Sequence, residues 1–110
     1  MREVPLQNMP NQEIETVINS NVFNIRLHTV EQMTIADVYI NNVLICAGVR
    51  CVPNMAIIPF PYISESFGNF VFSCIDANYP YYELFGASQR LIYASPEEIA
   101  EARESARKTT

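Results

Sequence analysis

Short runs in which apolar and polar residues alternate recur through most of the chain. In residues 22–28, positions 23, 25 and 27 are apolar, whereas positions 24, 26 and 28 are polar. Such alternation is typical of a strand with one face in a core and the other in water. Similar or continuously apolar runs predict further strands at residues 12–18, 33–40, 43–51, 70–75 and 90–93. The pattern therefore predicts a mainly β chain of about six antiparallel strands.

Turn-forming residues separate these strands. Asn41 and Asn42 lie between two apolar, β-branched runs, and asparagine tolerates the positive φ angles of a tight hairpin. Residues 19–21 form a similar cluster after the first strand, whose glutamates favour a position at a sheet edge. Strands 33–40 and 43–51 carry apolar residues on both faces, so we expect them to be central and covered on both sides.

Residues 53–62 combine prolines with large apolar side chains. Pro53, Pro59 and Pro61 each lack an N–H donor and have a fixed φ, which excludes the interior of a helix and a central strand. We therefore expect an extended, polyproline-like arm, followed by a turn over residues 64–69. The large apolar residues of the arm are Met55, Ile57, Ile58, Phe60 and Tyr62. Loops seldom expose so many apolar side chains, so the arm is a candidate contact surface.

The end of the chain carries the clearest helix signal. Ser95 is a good N-cap, Pro96 suits the first helical position, and Glu98 completes a capping box. The sequence thus predicts a C-terminal helix over residues 95–110. Before it, we expect residues 1–94 to form a single small barrel or sandwich-like β domain, in which residues 1–10 are an irregular lead-in.

The predicted helix has a thin apolar face, made of Ile99, Ala102 and Ala106. Alanine buries few methyl or methylene groups, so the helix gains little by packing on its own domain. It either lies loosely on the surface or fits its small face closely against a partner.

The chain has 110 residues, 49% hydrophobic but only 17% charged, against roughly a quarter charged in a typical soluble domain. Either part of the surface is covered by a partner, or the surface is polar through Asn, Gln, Ser and Thr. The net charge of −5, with 7 basic residues, provides no basic stripe for nucleic acid. We find no apolar run that could span a bilayer and no signal-peptide pattern, and expect a soluble chain made in a cytoplasm.

Residues that could carry chemistry are few. The 3 glycines are far apart, so no phosphate-binding loop can form. His28 and the three cysteines, Cys46, Cys51 and Cys74, match the number of zinc ligands, but residues five apart on a strand point to opposite faces. The pattern favours free cysteines in apolar runs and a solvated histidine, with no catalytic, cofactor or metal site. A small Cys-dependent or zinc enzyme is the weakest alternative.

Asp37 is unusual because it lies in a strand that we expect to be central. A buried carboxylate needs a partner, and Arg50 on the paired strand could provide it. We therefore expect a structural Asp37–Arg50 ion pair.

Residues 79–85 are rich in aromatic side chains. They include Tyr79, Tyr81, Tyr82 and Phe85 around Pro80. Such residues are favoured both in β cores and in protein interfaces. We expect a packed surface loop, part core and part interface, although a platform for a sugar or a peptide would use the same residues.

Several segments in colinear order resemble the baseplate plug proteins of contractile-tailed bacteriophages. They are REVPL (2–6), PNQ (10–12), ADVY (36–39), LICAGVRCVPN (44–54), IPFPY (58–62), GNF (68–70), DANYPYY (76–82), LIY (91–93) and SPEE (95–98). The resemblance covers nearly the whole chain. It implies a non-enzymatic virion component at the tail tip, where the baseplate hub joins the tail tube to the spike. It carries over no active site.

Our main hypothesis is therefore a baseplate plug that docks on the central hub. Its partners would be the hub and other tail proteins, with several copies in a symmetric assembly of the virion, assembled in the cytoplasm of the bacterial host. The predicted contact residues come from the arm, the aromatic loop and the helix: Met55, Ile57, Ile58, Phe60, Tyr62, Tyr79, Tyr81, Tyr82, Phe85, Ile99, Ala102, Arg103 and Ala106. The alternative is a stand-alone peptide- or glycan-binding module that uses residues 79–85.

Overall fold

The structure is a computed structural model that describes residues 1–76 and 78–108, with side chains through residue 106. Its strands are β1 (Arg2–Val4), β2 (Gln12–Ile18), β3 (Asn21–Val30), β4 (Met33–Ile40), β5 (Val43–Arg50), β6 (Asn69–Cys74) and β7 (Gln89–Ala94). The helices are α1 (Pro61–Phe67) and α2 (Pro96–Lys108). The last two residues of the helix expected over 95–110 lie outside the described residues.

The strands form two antiparallel sheets. One has the order β1-β7-β6 and the other the order β2-β3-β4-β5. The sheets share one hydrophobic core. The mainly β, sandwich-like prediction is confirmed, and the described strands do not close into a barrel. The predicted edge position of β2 is also confirmed.

The alternation in β3 and β4 fixes which face meets the core. Phe23 pairs with Ile40, and Ile25 pairs with Val38, and all four side chains are buried. The alternate residues on the outer face, such as Asn24, are partly exposed. A shift of one residue would move every apolar side chain into water, so the register is strongly specified.

Aromatic side chains join the two sheets. The ring of Phe23 in β3 lies 5.4 Å from that of Phe70 in β6, in an edge-to-face arrangement. Tyr93 in β7 lies 5.8 Å from Phe23 and 5.3 Å from Phe70. Such pairs contribute about 0.5–1.5 kcal/mol each beyond their buried area. This cluster sets the spacing between the sheets at one end of the sandwich.

Three two-residue turns connect β2 to β5, and both residues of each turn have positive φ. The φ values are 51° and 66° at Asn19 and Ser20, and the same at Asn41 and Asn42. The predicted Asn41–Asn42 hairpin is confirmed. The third turn, Glu31 and Gln32 with φ of 48° and 66°, has no such sequence signal. Its positive φ angles match the twist of the flanking strands, which outweighs the local preference of Glu and Gln.

Two strand predictions were wrong. The lead-in is not wholly irregular, because β1 pairs with β7 and buries Val4; three residues are too few to show a periodicity. Strand β5 is not central but lies at a sheet edge, with Val43 and Leu44 exposed. Apolar residues on both faces do not reveal strand order, which depends on contacts far apart in the sequence.

The arm is extended in its first half only. Residues 54–57 run along the outer edge of β6, where Asn54 N–H donates to Phe72 O and Ile57 N–H donates to Phe70 O, both at 2.8 Å. The second half was predicted wrongly, since Pro61 begins helix α1. Proline excludes a helix interior but is well suited to the first helical position, whose N–H needs no partner.

Helix α2 begins as the sequence predicts. Glu98 N–H donates to Ser95 Oγ at 3.2 Å, and Ser95 N–H donates to Glu98 Oε1 at 3.0 Å. This reciprocal pair is a capping box. Further along, Arg103 forms an exposed ion pair with Glu65 of α1 at 3.3 Å. Helix α2 thus lies against α1, and residues 100–106 remain exposed.

Gly68, between α1 and β6, offers a test of this packing. It has φ of 89°, and a Cβ there would lie 2.5 Å from Ala94 O and 2.6 Å from the Tyr93 hydroxyl. We expect Gly68→Ala to lower the free energy of unfolding by at least about 2 kcal/mol, because strain and a backbone clash combine. Urea denaturation measures the loss.

Gly86→Ala is the matched control. Gly86 has a similar φ of 82°, but no atom lies within 4 Å of its Cβ position. We expect Gly86→Ala to lower the free energy of unfolding by only about 1 kcal/mol, because it introduces backbone strain without a clash. Equal losses in the two variants would contradict a packing role for Gly68.

Candidate interaction surfaces

The predicted contact residues do not form one surface but lie mainly at opposite ends of the sandwich. Strand β3 runs from Asn21 at one end to Val30 at the other. Phe70, at the start of β6, packs on Phe23 near the start of β3, so α1 and α2 lie at that end, the helix end. The aromatic loop shares a shallow cavity with Gln32, beyond the end of β3, and defines the loop end.

A buried glutamine holds the aromatic loop in place. Gln89 in β7 is fully buried, and its Oε1 accepts the N–H of Tyr81 at 2.9 Å. Its Nε2 donates to the carbonyl oxygens of Asn78 and Tyr79 at 3.2 and 3.0 Å. One side chain thus satisfies three backbone groups of an irregular segment, which would be costly to bury without partners.

Two further side chains fix the same loop. Thr34 Oγ in β4 donates to Pro80 O at 2.6 Å, and this threonine is buried. Asn8 Nδ2 donates to Tyr82 O at 3.0 Å and to Phe85 O at 2.8 Å. The loop is therefore tied to both sheets and to the chain before β2.

The four predicted aromatic contacts of this loop have different environments. Tyr79 is half exposed, and the guanidinium of Arg50 lies 4.6 Å from the centroid of its ring. Tyr81 and Tyr82 are partly exposed and their rings are 4.7 Å apart. Phe85 is only 3% exposed and belongs to the core. Three tyrosines therefore form the accessible aromatic part of the loop end.

At the helix end, Phe60 and Tyr62 form an exposed aromatic pair, with ring centroids 6.0 Å apart. Ile57 and Ile58 are each 2% exposed, so these two predicted contacts fill the core instead. Met55 is exposed on the arm where it borders β6.

The helical contacts lie beside this pair. Ile99 is partly buried, whereas Ala102, Arg103 and Ala106 are exposed. A shallow cavity of about 500 Å³ lies along α2, beside its contact with Glu65 of α1. Its lining residues are Glu65, Pro96, Ile99, Ala100, Arg103 and Glu104. The helix end therefore combines aromatic side chains with a groove whose walls are mixed in polarity.

A buried asparagine fixes the helix end as Gln89 fixes the loop end. Asn69 Oδ1 accepts the N–H groups of Ile58 and Phe70 at 2.9 and 2.8 Å. Its Nδ2 donates to Ile58 O at 2.9 Å and to Ser64 Oγ at 2.6 Å. Asn69 thereby joins the arm, α1 and β6.

These anchoring amides were not predicted from the sequence. Gln89 carries a signal, because it is a polar residue at an inward-facing position that alternates in step with Leu91 and Tyr93, which face the core. Asn69 carries no such signal, because the inward-facing positions of β6 are Phe70, Phe72 and Cys74. Asn54, which accepts Cys74 N–H at 3.1 Å, has no such signal, because it lies in an irregular segment.

The predicted Asp37–Arg50 pair was wrong. Asp37 Oδ2 lies 2.9 Å from His28 Nε2, and Asp37 Oδ1 accepts the Gly48 N–H at 2.8 Å. The register of β4 and β5 shifts around Asp37, which places Arg50 opposite Ile35. The Gly48 hydrogen bond, followed by that of His28, lowers the pKa of Asp37 below its ordinary value.

The cysteines and His28 do not converge. Cys46, Cys51 and Cys74 are buried in the interior, whereas His28 pairs with Asp37 on the outer face of the sheet. Burial raises the pKa of Cys51 to about 12, which disfavours the thiolate needed for attack or metal binding. Within residues 1–76 and 78–108, no three His, Cys, Asp or Glu side chains are grouped to hold a metal ion.

Neither helix in the described part of the chain has the length and apolar character needed to cross a membrane.

The role of Gln89 can be tested by Gln89→Leu, which nearly keeps the volume but removes the hydrogen bonds. We expect it to lower the free energy of unfolding by about 1–3 kcal/mol, because buried backbone groups lose their partners. The amide of Tyr81 should also exchange faster with deuterium, as measured by NMR. Gln7→Leu is the control, since Gln7 is exposed; an equal loss there would contradict the role of Gln89.

The Asp37 interactions predict a pH dependence. Because the folded-state pKa of Asp37 is lowered from 3.8, its stabilisation is complete above that pH and is lost as the pH falls toward the folded-state pKa. Above its ordinary pKa, wild type should be more stable than Asp37→Asn, and the difference should shrink on acidification. Thermal unfolding between about pH 7 and pH 3 measures it. A difference independent of pH would contradict this assignment.

Comparison with protein-family models matches residues 1–97 to the family described as "Cyanophage baseplate Pam3 plug gp18". The matched range contains the whole sandwich and the first two residues of α2. A comparison with curated proteins finds no significant match. The resemblance seen in the sequence is confirmed: the chain belongs to the family of cyanophage baseplate plug proteins.

Proposed function

We propose that this chain is a non-enzymatic structural protein that docks on the central hub of the baseplate, near the junction of the tail tube and the spike. The family match supports a structural role in the baseplate. The observation that carries the proposal further is the placement of exposed aromatic groups at opposite ends of one sandwich. Phe60 and Tyr62 lie at the helix end, and the three tyrosines lie at the loop end.

This arrangement suits a protein that joins two neighbours. Tyrosine and phenylalanine are enriched in protein interfaces because they bury a large apolar area. Two such groups at opposite ends can each meet a different component. We propose that one of these components is the hub and the other is a further tail protein.

The anchoring amides support this role because they fix the irregular segments that carry the aromatic groups. Gln89 and Asn69 hold the backbone of the loop and of the arm before binding. A surface that is ordered in advance loses less conformational entropy on binding. The proposed contacts are therefore made by pre-organised segments.

Helix α2 has a secondary part in the proposal. Most of it lies beyond the matched residues 1–97, so the family match does not bear on Ala102, Arg103 or Ala106. We propose that its exposed face extends the contact made by Phe60 and Tyr62. Met55 lies on the arm between the two ends and is a peripheral contact.

Tyr62→Ala and Tyr81→Ala test the two ends separately. We expect at least one of them to weaken binding to the purified hub protein roughly 10- to 100-fold, because each removes an exposed aromatic contact. Biolayer interferometry gives the dissociation constants, and the unaffected end is then assigned to the second neighbour.

Tyr39→Ala is the matched control. Tyr39 lies on the outer face of β4, in the four-stranded sheet and outside the arm, the helices and the aromatic loop, and its ring contacts Arg26. Hub binding should be unchanged in this variant. If neither Tyr62→Ala nor Tyr81→Ala weakens the complex, or if wild type does not bind the hub, the proposed docking is wrong.

A stand-alone peptide- or glycan-binding module is the second candidate. It is supported by a shallow cavity of about 410 Å³ at the loop end, whose lining includes Tyr79, Tyr81 and Gln32. However, Arg50 lies against the ring of Tyr79, which restricts stacking by a sugar. Binding of a glycan or peptide that is lost in Tyr81→Ala, without any affinity for the hub, would favour this candidate.

A further inference from the structure

The four-stranded sheet ends in two strands with open outer edges. In the described residues, nothing pairs with the outer edge of β2 or of β5. In the other sheet, residues 54–57 cover the edge of β6, and β1 has only three residues. An open edge presents unpaired N–H and C=O groups that can pair with another chain.

Both open edges also expose apolar side chains. Val17 in β2 is 58% exposed, and Val43 and Leu44 in β5 are 60% and 50% exposed. Proteins usually protect edges with charged residues, proline or a bulge. From Val43 to Val49, β5 has neither charge nor proline. Its pairing with β4 shifts register twice, once beside Gly48 and once beside Ile45.

We propose that β2 of a second copy of this chain pairs with β5, so that the four-stranded sheet continues from one copy into the next. Strands alternate in direction along β2-β3-β4-β5, so β2 and β5 run in opposite directions. Two copies with the same orientation therefore bring these edges together as an antiparallel pair. The edges also match in length, with 7 and 8 residues.

The pairing of β5 with its own neighbour β4 supplies a register. Val43, Leu44 and Arg50 lie opposite Ile40, Tyr39 and Ile35 of β4. If β2 of the second copy follows the same path on the free edge, Ile18, Val17 and Glu13 occupy the corresponding positions. Ile18 faces the core, as Ile40 does in β4. Val17 and Glu13 face outward, as Tyr39 and Ile35 do.

This register is chemically complementary. Val17 and Leu44 cover each other on the outer face, and Ile18 meets Val43 on the inner face. Glu13 comes opposite Arg50, so an acidic and a basic side chain meet. A slip of two residues would instead place Glu15 against Leu44, which leaves a carboxylate beside an apolar side chain.

The contact is head-to-tail, since each copy offers β2 to one neighbour and β5 to the other. Contacts of this kind close into a ring if the rotation between copies is suitable, and otherwise form an open filament. The inference goes beyond the proposed function and rests on the sheet edges alone. Hub binding by a monomer would leave the proposed function intact while refuting this pairing.

Light scattering after size exclusion, over a range of protein concentrations, tests the pairing. We expect wild type to self-associate and Leu44→Lys and Val17→Lys each to weaken the association at least about tenfold, because a lysine would lie in the buried contact. Val30→Lys is the control, since Val30 is 49% exposed but lies on β3, inside the sheet. Circular dichroism verifies that each variant is folded.

Mixing the two variants distinguishes a head-to-tail contact from a symmetric one. The Leu44→Lys chain keeps an intact β2, and the Val17→Lys chain keeps an intact β5. An equimolar mixture should therefore form a heterodimer through the single intact junction, and nothing larger. If Val17→Lys alone still forms a dimer, β5 pairs with itself and the proposal is wrong.

Exchanging the charges at positions 13 and 50 tests the proposed register between β2 and β5. Glu13→Arg and Arg50→Glu should each weaken self-association, and the double variant should recover part of it. A wild-type chain that stays monomeric at every concentration, or an assembly insensitive to Leu44→Lys and Val17→Lys, would overturn the pairing. Lack of recovery in the double variant would overturn the register.

Discussion

The constraint on which the surface of this protein depends is that buried backbone N–H and C=O groups must find hydrogen-bond partners. The strands of the sandwich meet this requirement by hydrogen bonding to their neighbours. The backbone groups of the arm and the aromatic loop have no complete set of such strand partners. Asn69 and Gln89 supply the missing partners from within the strands. The two amides therefore convert irregular segments into fixed parts of the fold.

Local sequence patterns were sufficient where the determining contacts are local. The alternation of residues 22–28 identified the inward face of β3, asparagine identified the turn at Asn41, and Ser95 with Glu98 identified the start of α2. In each case the residue type acts within a few positions of itself. Propensity and periodicity contain that information.

The same patterns failed where the outcome depends on distant parts of the chain. The edge position of β5 follows from the strand order, and the separation of Arg50 from Asp37 follows from a shift in register. Among the candidate contacts, Ile58 and Phe85 carry apolar side chains like those of Phe60 and Tyr62, yet only the latter two are exposed. The backbone direction at each position, set by tertiary hydrogen bonds, makes the difference.

The burial of the three thiols affects how the protein responds to oxidants outside the cell. A baseplate is part of a phage particle, which meets dissolved oxygen outside the cell. Cys46, Cys51 and Cys74 are all buried, and burial raises the pKa of each thiol. Thiolates and access are both needed for oxidation and disulfide exchange. Burial therefore disfavours oxidative cross-linking of the folded chain, whose three cysteines are free thiols.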